Sequence, residues 1–417
     1  MSVQQRNPAS QARVVGLLGP AFVAAIAYVD PGNVAANITA GATYGYLLVW
    51  VLLVANVMAV LIQYQAAKLG VVTGRTLPQT LGDSLGRRSR LAFWGQAEVV
   101  AAATDLAEVI GGAVALNLLF GLPLPLGGVI VGLVSMALLA TATKRRQRQF
   151  ETIIVGLLAV IVIGFLAGLL VNPPEVGGLL NGMVPRLQGT ETVLLAASML
   201  GATVMPHAIY LHSSLVIDRH GTDDEAARGD RGRISALLRA TRVDVVVALV
   251  IAGTVNIALL VLAAVSLYGR DGTDSIEGAH AAVSDALGPV VAALFALGLL
   301  ASGIASTSVG AYAGGAIMAG LLRKRIPMVV RRSVTLIPAV VILACGVDPT
   351  LALVISQAVL SFGIPFALIP LRRYTADRRR MGDYADGRLL RGASALSAVV
   401  IVVLNAALLI LLILGVD

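Results

Sequence analysis

The sequence is poor in the residues that soluble enzymes rely on. Charged residues make up 13% of its 417 positions and aromatics 5%, and there are four histidines and one cysteine. A lone Cys345 excludes an intrachain disulfide and a cysteine-based metal cluster, and suits a small packing residue. His207 and His212 stand five apart, so they share a helical face poorly and lack the two-histidine zinc spacing with a glutamate between them. His220 and His280 fall in segments that read as solvated loops. Neither a phosphate-cradling glycine loop nor a nucleophile triad is present, so no enzyme activity and no cofactor is expected. No polar stretch is long enough for a separate soluble domain, and with it goes the usual mark of a membrane metal sensor.

What the chain has instead is apolar length. It is 57% hydrophobic, with a mean hydropathy of +0.87. Thr152 to Val171 and Ala393 to Val416 contain no charged residue. These runs place it among polytopic, all-α integral membrane proteins. Eleven spans are expected, near 14–44, 47–70, 92–119, 123–143, 151–172, 192–217, 243–268, 288–322, 328–346, 349–371 and 393–416. Residues 1–13 read as a polar cytoplasmic tail rather than a cleaved leader, because the apolar run behind them ends in Asp-Pro-Gly and not in a small-residue cleavage site.

The few charges are unevenly placed. With the amino terminus inside and the spans alternating, all of the 31 Lys+Arg except Arg186 and Arg270 fall on the inner side. That bias orients the chain in a plasma membrane with its carboxyl terminus outside. It also accounts for the net charge of +8 without a nucleic-acid partner. Membrane lipids are the expected surroundings, and no obligate protein partner is implied.

Two spans are broken. Ala27-Tyr28-Val29-Asp30-Pro31-Gly32-Asn33 puts a carboxylate, a proline and a glycine in the middle of the first span. Ala202-Thr203-Val204-Met205-Pro206-His207 interrupts the sixth. Broken helices are tolerated in a bilayer only where the freed backbone lines a cavity or binds something, and an intramembrane carboxylate is costly without a partner. Spans 1–5 and 6–10 each open on such a break, and five is odd, so the second set enters from the opposite face: an inverted 5+5 repeat. The expected organisation is a first repeat over 14–172, an external loop over 173–191, a second repeat over 192–371, a cytoplasmic loop over 372–392 and an eleventh helix over 393–417.

Asp30, Asn33 and Met205 are the candidate ligands of a cation site at these breaks. Asp30 brings charge, Asn33 an amide oxygen one turn on, and Met205 a soft thioether that favours Mn²⁺, Fe²⁺, Co²⁺ or Cd²⁺ over Ca²⁺ or Mg²⁺. Each has a plainer reading: a satisfied helix end for Asp30, a helix cap for Asn33, core packing for Met205. In the third span Asp105 and Glu108 lie at i, i+3, with Glu98 seven residues before Asp105. Intramembrane acids of this kind need protons or cationic partners and commonly mark proton routes. Arg331 and Arg332, at the start of the ninth span, are candidate partners, or ordinary positive-inside flanks. His207 and His212 can carry protons or simply be hydrogen-bonded in the interior. Gly310, Gly314 and Gly315 have small-residue spacing that suits close helix packing.

Asp30-Pro31-Gly32-Asn33 and Met205-Pro206-His207, with Thr104-Asp105-Leu106-Ala107-Glu108, Ser356-Gln357 and Phe362-Gly363-Ile364-Pro365, resemble the signatures of the NRAMP family along nearly all of the chain. That resemblance implies proton-coupled transport of divalent transition metals, as in bacterial manganese importers, on the inverted-repeat fold of sodium-coupled amino-acid symporters. It further implies that the carbonyls of Ala27 and Ala202 ligate metal in some conformations and that Gln357 approaches the metal; an interhelical hydrogen bond is the other reading of Gln357. An acid-to-arginine proton path from Asp30 through Glu108, Asp105, Glu98, Arg331 and Arg332 follows from the same resemblance. The alternatives are a same-fold symporter of another small substrate, a metal sensor or a membrane metalloenzyme.

Overall fold

The structure is a computed structural model, and it describes residues 19–141, 146–221, 231–273, 275–323 and 328–414. The expected tail over 1–13 and the very end of the chain lie outside those residues. No strand occurs among the described residues. Among the described residues the helices group into eleven segments, eight of them long and apolar enough to cross a membrane. Span 1 comprises Pro20–Ala25 (1a), a 3₁₀ turn over Ile26–Tyr28 and Pro31–Tyr44 (1b). Span 2 is Val49–Thr73, span 3 Arg87–Phe120, span 4 Leu124–Leu139 and span 5 Gln147–Val171. Span 6 comprises Gly189–Thr203 (6a) and Pro206–His220 (6b). Span 7 is Arg231–Ser266; span 8 is Pro289–Ile317 and continues as a π-turn over Met318–Leu322. Spans 9, 10 and 11 are Met328–Ala344, Pro349–Ala376 and Arg388–Leu414.

The two breaks are made the same way. In each, a proline opens the second half-helix, where its missing N–H costs nothing and its fixed φ suits the first turn. A mid-helix proline also withdraws the donor from the carbonyl four residues earlier, which is Ala27 for Pro31 and Ala202 for Pro206. Each proline is seated against a glycine of a crossing span. Gly111 of span 3 lies under the Pro31 ring, and a side chain at Gly363 of span 10 would come within 2.8 Å of Pro206. Spans 3 and 8 pack most extensively of all, and span 5 also packs against span 8. Spans 1, 2, 6 and 7 form the adjoining group, and both breaks lie between the two groups.

Several connections are more ordered than their polarity suggested. Among the described residues span 7 is already helical at Arg231 rather than from near residue 243, because Ile234, Leu237 and Ala240 carry its buried stripe on through an arginine-rich segment. The loop between spans 2 and 3 holds a helix, Leu77–Ser84, opened by a capping box in which the Thr76 hydroxyl accepts from the Gln79 amide. The outer segments contain Val176–Gly182 and Ile276–Leu287. His280 therefore lies on a helix, half-buried against the Phe295 ring, and not in a solvated loop. The 372–392 segment is folded onto span 2: Asp386 is buried, paired with Lys68, and accepts from Gln65 Nε2 at 2.6 Å.

Candidate metal and proton site

Asp30 ends the first break in extended backbone and caps span 1b. Its carboxylate accepts from Gly32 N at 3.2 Å and Asn33 N at 3.1 Å. So Asp30, and not Asn33, is the cap; Asn33 sits in the first turn with its side chain free to reach outward. Its amide nitrogen donates to Asp30 Oδ1 and, across the repeat, to the carbonyl of Ala202 at 3.0 Å. One amide thus ties the two breaks together. Gln357 Nε2 donates to the other oxygen, Asp30 Oδ2, at 3.4 Å. The interhelical hydrogen bond weighed for Gln357 is therefore made, and its partner is the candidate ligand itself. Asp30, Asn33, Gln357 and Met205 are all buried. Met205 takes the cap position of span 6b with no side chain satisfying that helix start. The positive end of an uncapped half-helix thus faces the break.

The surrounding break is held by side chains that the motifs did not single out. Asn256 of span 7 donates to the Tyr28 carbonyl at 2.6 Å and accepts from Asn37 at 2.9 Å. Ser302 of span 8 donates to the Val29 carbonyl. Gln63 of span 2 donates to the Tyr28 hydroxyl at 2.8 Å, and its oxygen lies 2.8 Å from His212 Nδ1. Carbonyls exposed by the break are thus claimed by neutral donors of spans 7 and 8. These amides and hydroxyls carry no charge and no fixed spacing. Only their intramembrane position marks them.

The acids of span 3 are sorted by partner. Asp105 pairs with Arg332 of span 9 and accepts from the Thr307 hydroxyl at 2.5 Å. Arg332 is itself buried and donates to Ser135 Oγ and Thr307 Oγ1, each at 2.8 Å. Arg331 reaches Glu98 at 3.4 Å and the Ala311 carbonyl at 2.8 Å. Both arginines are thus buried ion-pair partners rather than membrane-surface flanks. Glu108 is fully buried; the Ser306 hydroxyl stands beside its carboxylate, and no charged side chain is paired with it among the described residues. Both nitrogens of the buried His207 lack a hydrogen-bond partner there, as does His212 Nε2. The candidate proton carriers therefore run from the buried Glu108 and His207 to one buried ion pair, Asp105–Arg332, and one part-buried pair, Glu98–Arg331.

Two of the span 8 glycines, Gly310 and Gly314, border these ionisable side chains. A methyl group on Gly310 would stand 3.0 Å from the Glu108 carboxylate, and one on Gly314 would collide with the Arg331 guanidinium. Their spacing makes room for ionisable side chains of spans 3 and 9. Close helix packing alone does not account for them.

The sequence profile described as natural resistance-associated macrophage protein-like (Nramp) matches residues 21–411. The chain is 57% identical over 399 residues to the divalent metal cation transporter MntH of Mycobacterium tuberculosis, covering 96% of this chain and 92% of that protein. It is 45% identical over 396 residues to MntH of Bacillus subtilis, covering 94% and 91%. Among solved structures it is similar to the Eremococcus coleocola manganese transporter, with a TM-score of 0.86 and 29% identity over 96% of this chain and 87% of that one. It shares its fold with the nucleobase–cation symporter Mhp1, at a TM-score of 0.61, 17% identity and coverage of 94% and 91%. Eleven spans in an inverted repeat, breaks in spans 1 and 6, and relatives along nearly the whole chain lead to one assignment: this multi-pass membrane protein is a transporter, not an enzyme, and belongs to the Nramp family.

Proposed function

We propose that the protein imports divalent transition-metal ions, Mn²⁺ foremost and Fe²⁺ with it, in symport with protons across a bacterial cell membrane. The observation that carries this reading is the meeting of the two breaks, where the Asn33 amide spans Asp30 and the Ala202 carbonyl. Asp30, Asn33, Met205 and the carbonyls of Ala27 and Ala202 are the ligands, with Gln357 joining from span 10. An anionic oxygen, neutral oxygens and one thioether suit Mn²⁺ and Fe²⁺, with Co²⁺ and Cd²⁺ admitted. The thioether gives little to Ca²⁺ or Mg²⁺, which take oxygen. An amino-acid substrate is disfavoured, because its carboxylate would face Asp30. The relatives named as divalent metal cation and manganese transporters support the same class of cargo.

Protons travel from Asp30 through Glu108 and His207 to Asp105 and Arg332, and on to Glu98 and Arg331, toward the cytoplasm. A buried carboxylate is neutralised equally well by a cation or a proton, so Asp30 exchanges one for the other. His212, held by Gln63 of span 2, completes the set. Rocking of one repeat against the other exposes the site alternately. The charge bias supports a cytoplasmic amino terminus and an external carboxyl terminus.

The test is Mn²⁺ uptake into proteoliposomes with excess Ca²⁺ as competitor, wild type beside Met205→Ala. Wild-type uptake should resist Ca²⁺ and the variant should lose that resistance. Equal transport of Ca²⁺ by the wild type would overturn the ligand assignment.

A further inference from the structure

The Thr203 hydroxyl has one proton and two neighbours that would take it. It lies 2.6 Å from the Met199 carbonyl, one turn back in span 6a, and 3.4 Å from Asn33 Oδ1. A hydroxyl donates once and accepts through its lone pairs. The shorter contact holds the proton, a common arrangement for a threonine bonding back to the carbonyl at i−4. Asn33 Oδ1 is left with only a weak share of that proton, in a long contact at 3.4 Å. Thr203 is 2% exposed, so this contact is made in the interior.

We infer that Thr203 positions the Asn33 amide for metal binding by accepting a hydrogen bond from its nitrogen once its oxygen has turned to the cation. The inference rests on the reading of Asn33 as a ligand. An amide binds a metal through oxygen, whereas the structure has Asn33 Nδ2 directed at Asp30 Oδ1 and the Ala202 carbonyl. The orientation is fixed by those two acceptors, which only an N–H group can satisfy. A half-turn about the Cβ–Cγ bond does three things together. It brings Oδ1 to the side of Asp30 and Ala202, and it frees both of those oxygens from the amide protons. It also carries Nδ2 to Thr203 Oγ1, replacing a long, weakly shared contact by a full hydrogen bond. The threonine is a positioning residue: it touches Asn33 and not the metal.

The experiment is Mn²⁺ binding to the purified full-length chain in detergent, by calorimetry, for the wild type, Thr203→Val, Thr203→Ser, Asn33→Ala and the Asn33→Ala/Thr203→Val double variant. One net hydrogen bond in a buried site is worth about a five- to tenfold change in affinity. Thr203→Val should weaken Mn²⁺ binding by that factor, Thr203→Ser should stay within about twofold of wild type, and Thr203→Val should add nothing in the Asn33→Ala background. Thr203→Ala removes the acceptor without adding bulk and should repeat the valine result if the valine variant folds poorly. Wild-type affinity in both Thr203→Val and Thr203→Ala overturns the inference. An unchanged loss in the Asn33→Ala background also overturns it, because a general packing role would persist there. Asn33→Ala binding Mn²⁺ as well as wild type would remove the ligand reading itself, and that result is separable from a failure at Thr203.

Discussion

Replacing Arg332 by methionine isolates what the buried ion pair does. The guanidinium has three partners: the Asp105 carboxylate, Ser135 Oγ and Thr307 Oγ1. Met keeps most of the side chain's volume and removes all four elements of its function: charge, fork, and the two hydroxyl contacts. Asp105 would then retain only the Thr307 hydroxyl, in a site where it is 4% exposed. Breaking a buried pair by removing one partner costs roughly 3–5 kcal/mol, because the remaining charge stays desolvated. That is a large share of the ~5–15 kcal/mol that holds a typical protein together. In a chain of this length it should lower the apparent melting temperature in detergent by roughly 3–6 °C. Arg332→Met combined with Asp105→Asn removes the stranded charge and leaves an acceptor for Thr307, so most of the lost stability should return. A single variant that melts within ~1 °C of wild type would refute the reasoning. So would a double variant no better than the single one, since the loss would then come from packing and not from the unpaired carboxylate.

Other expectations follow from the same geometry. Gly314→Ala drives a methyl group into the Arg331 guanidinium and should reduce folded yield, whereas Gly156→Ala, where no atom lies within 4 Å, should not; size-exclusion profiles of both decide this. Asn256→Ala frees the Tyr28 carbonyl and strands Asn37 Nδ2, a loss of about 1–3 kcal/mol that thermal melts should register even where Mn²⁺ binding survives. Lys68→Ala leaves Asp386 with Gln65 alone and should make the 377–387 segment more protease-sensitive, with Lys68→Ala/Asp386→Asn restoring protection.

How much could be read from the residues differs along the chain. The eleven spans were legible because apolar runs and one-sided arginines are strong signals, and the breaks were legible because proline and an aspartate stand out in hydrocarbon. Span 7 began earlier than its hydropathy implied, since a helix can continue in water on an apolar stripe as thin as Ile234, Leu237 and Ala240. Asp386 and Lys68 looked like loop charges, and only folding of the loop onto span 2 buries them. At the site, Asp30, Asn33 and Met205 carry chemistry that declares itself by residue type. Thr203, Asn256, Ser302 and Gln63 do not, because a hydroxyl or amide between two helices reads the same whether it packs, caps or positions. Arg331 and Arg332 were ambiguous for a related reason: position near a membrane face explains an arginine as well as an ion pair does, and only the side-chain partners separate the two.

The central claim is that metal entry through the two breaks is coupled to protons leaving through the span 3 acids. It is tested most directly by adding Mn²⁺ outside proteoliposomes that contain a pH indicator, for the wild type and Asp30→Ala. Mn²⁺-dependent acidification of the lumen in the wild type, and neither uptake nor acidification in a folded Asp30→Ala variant, is the predicted result. Mn²⁺ uptake by the wild type with no change in lumenal pH would contradict proton coupling, and full uptake by Asp30→Ala would contradict the site.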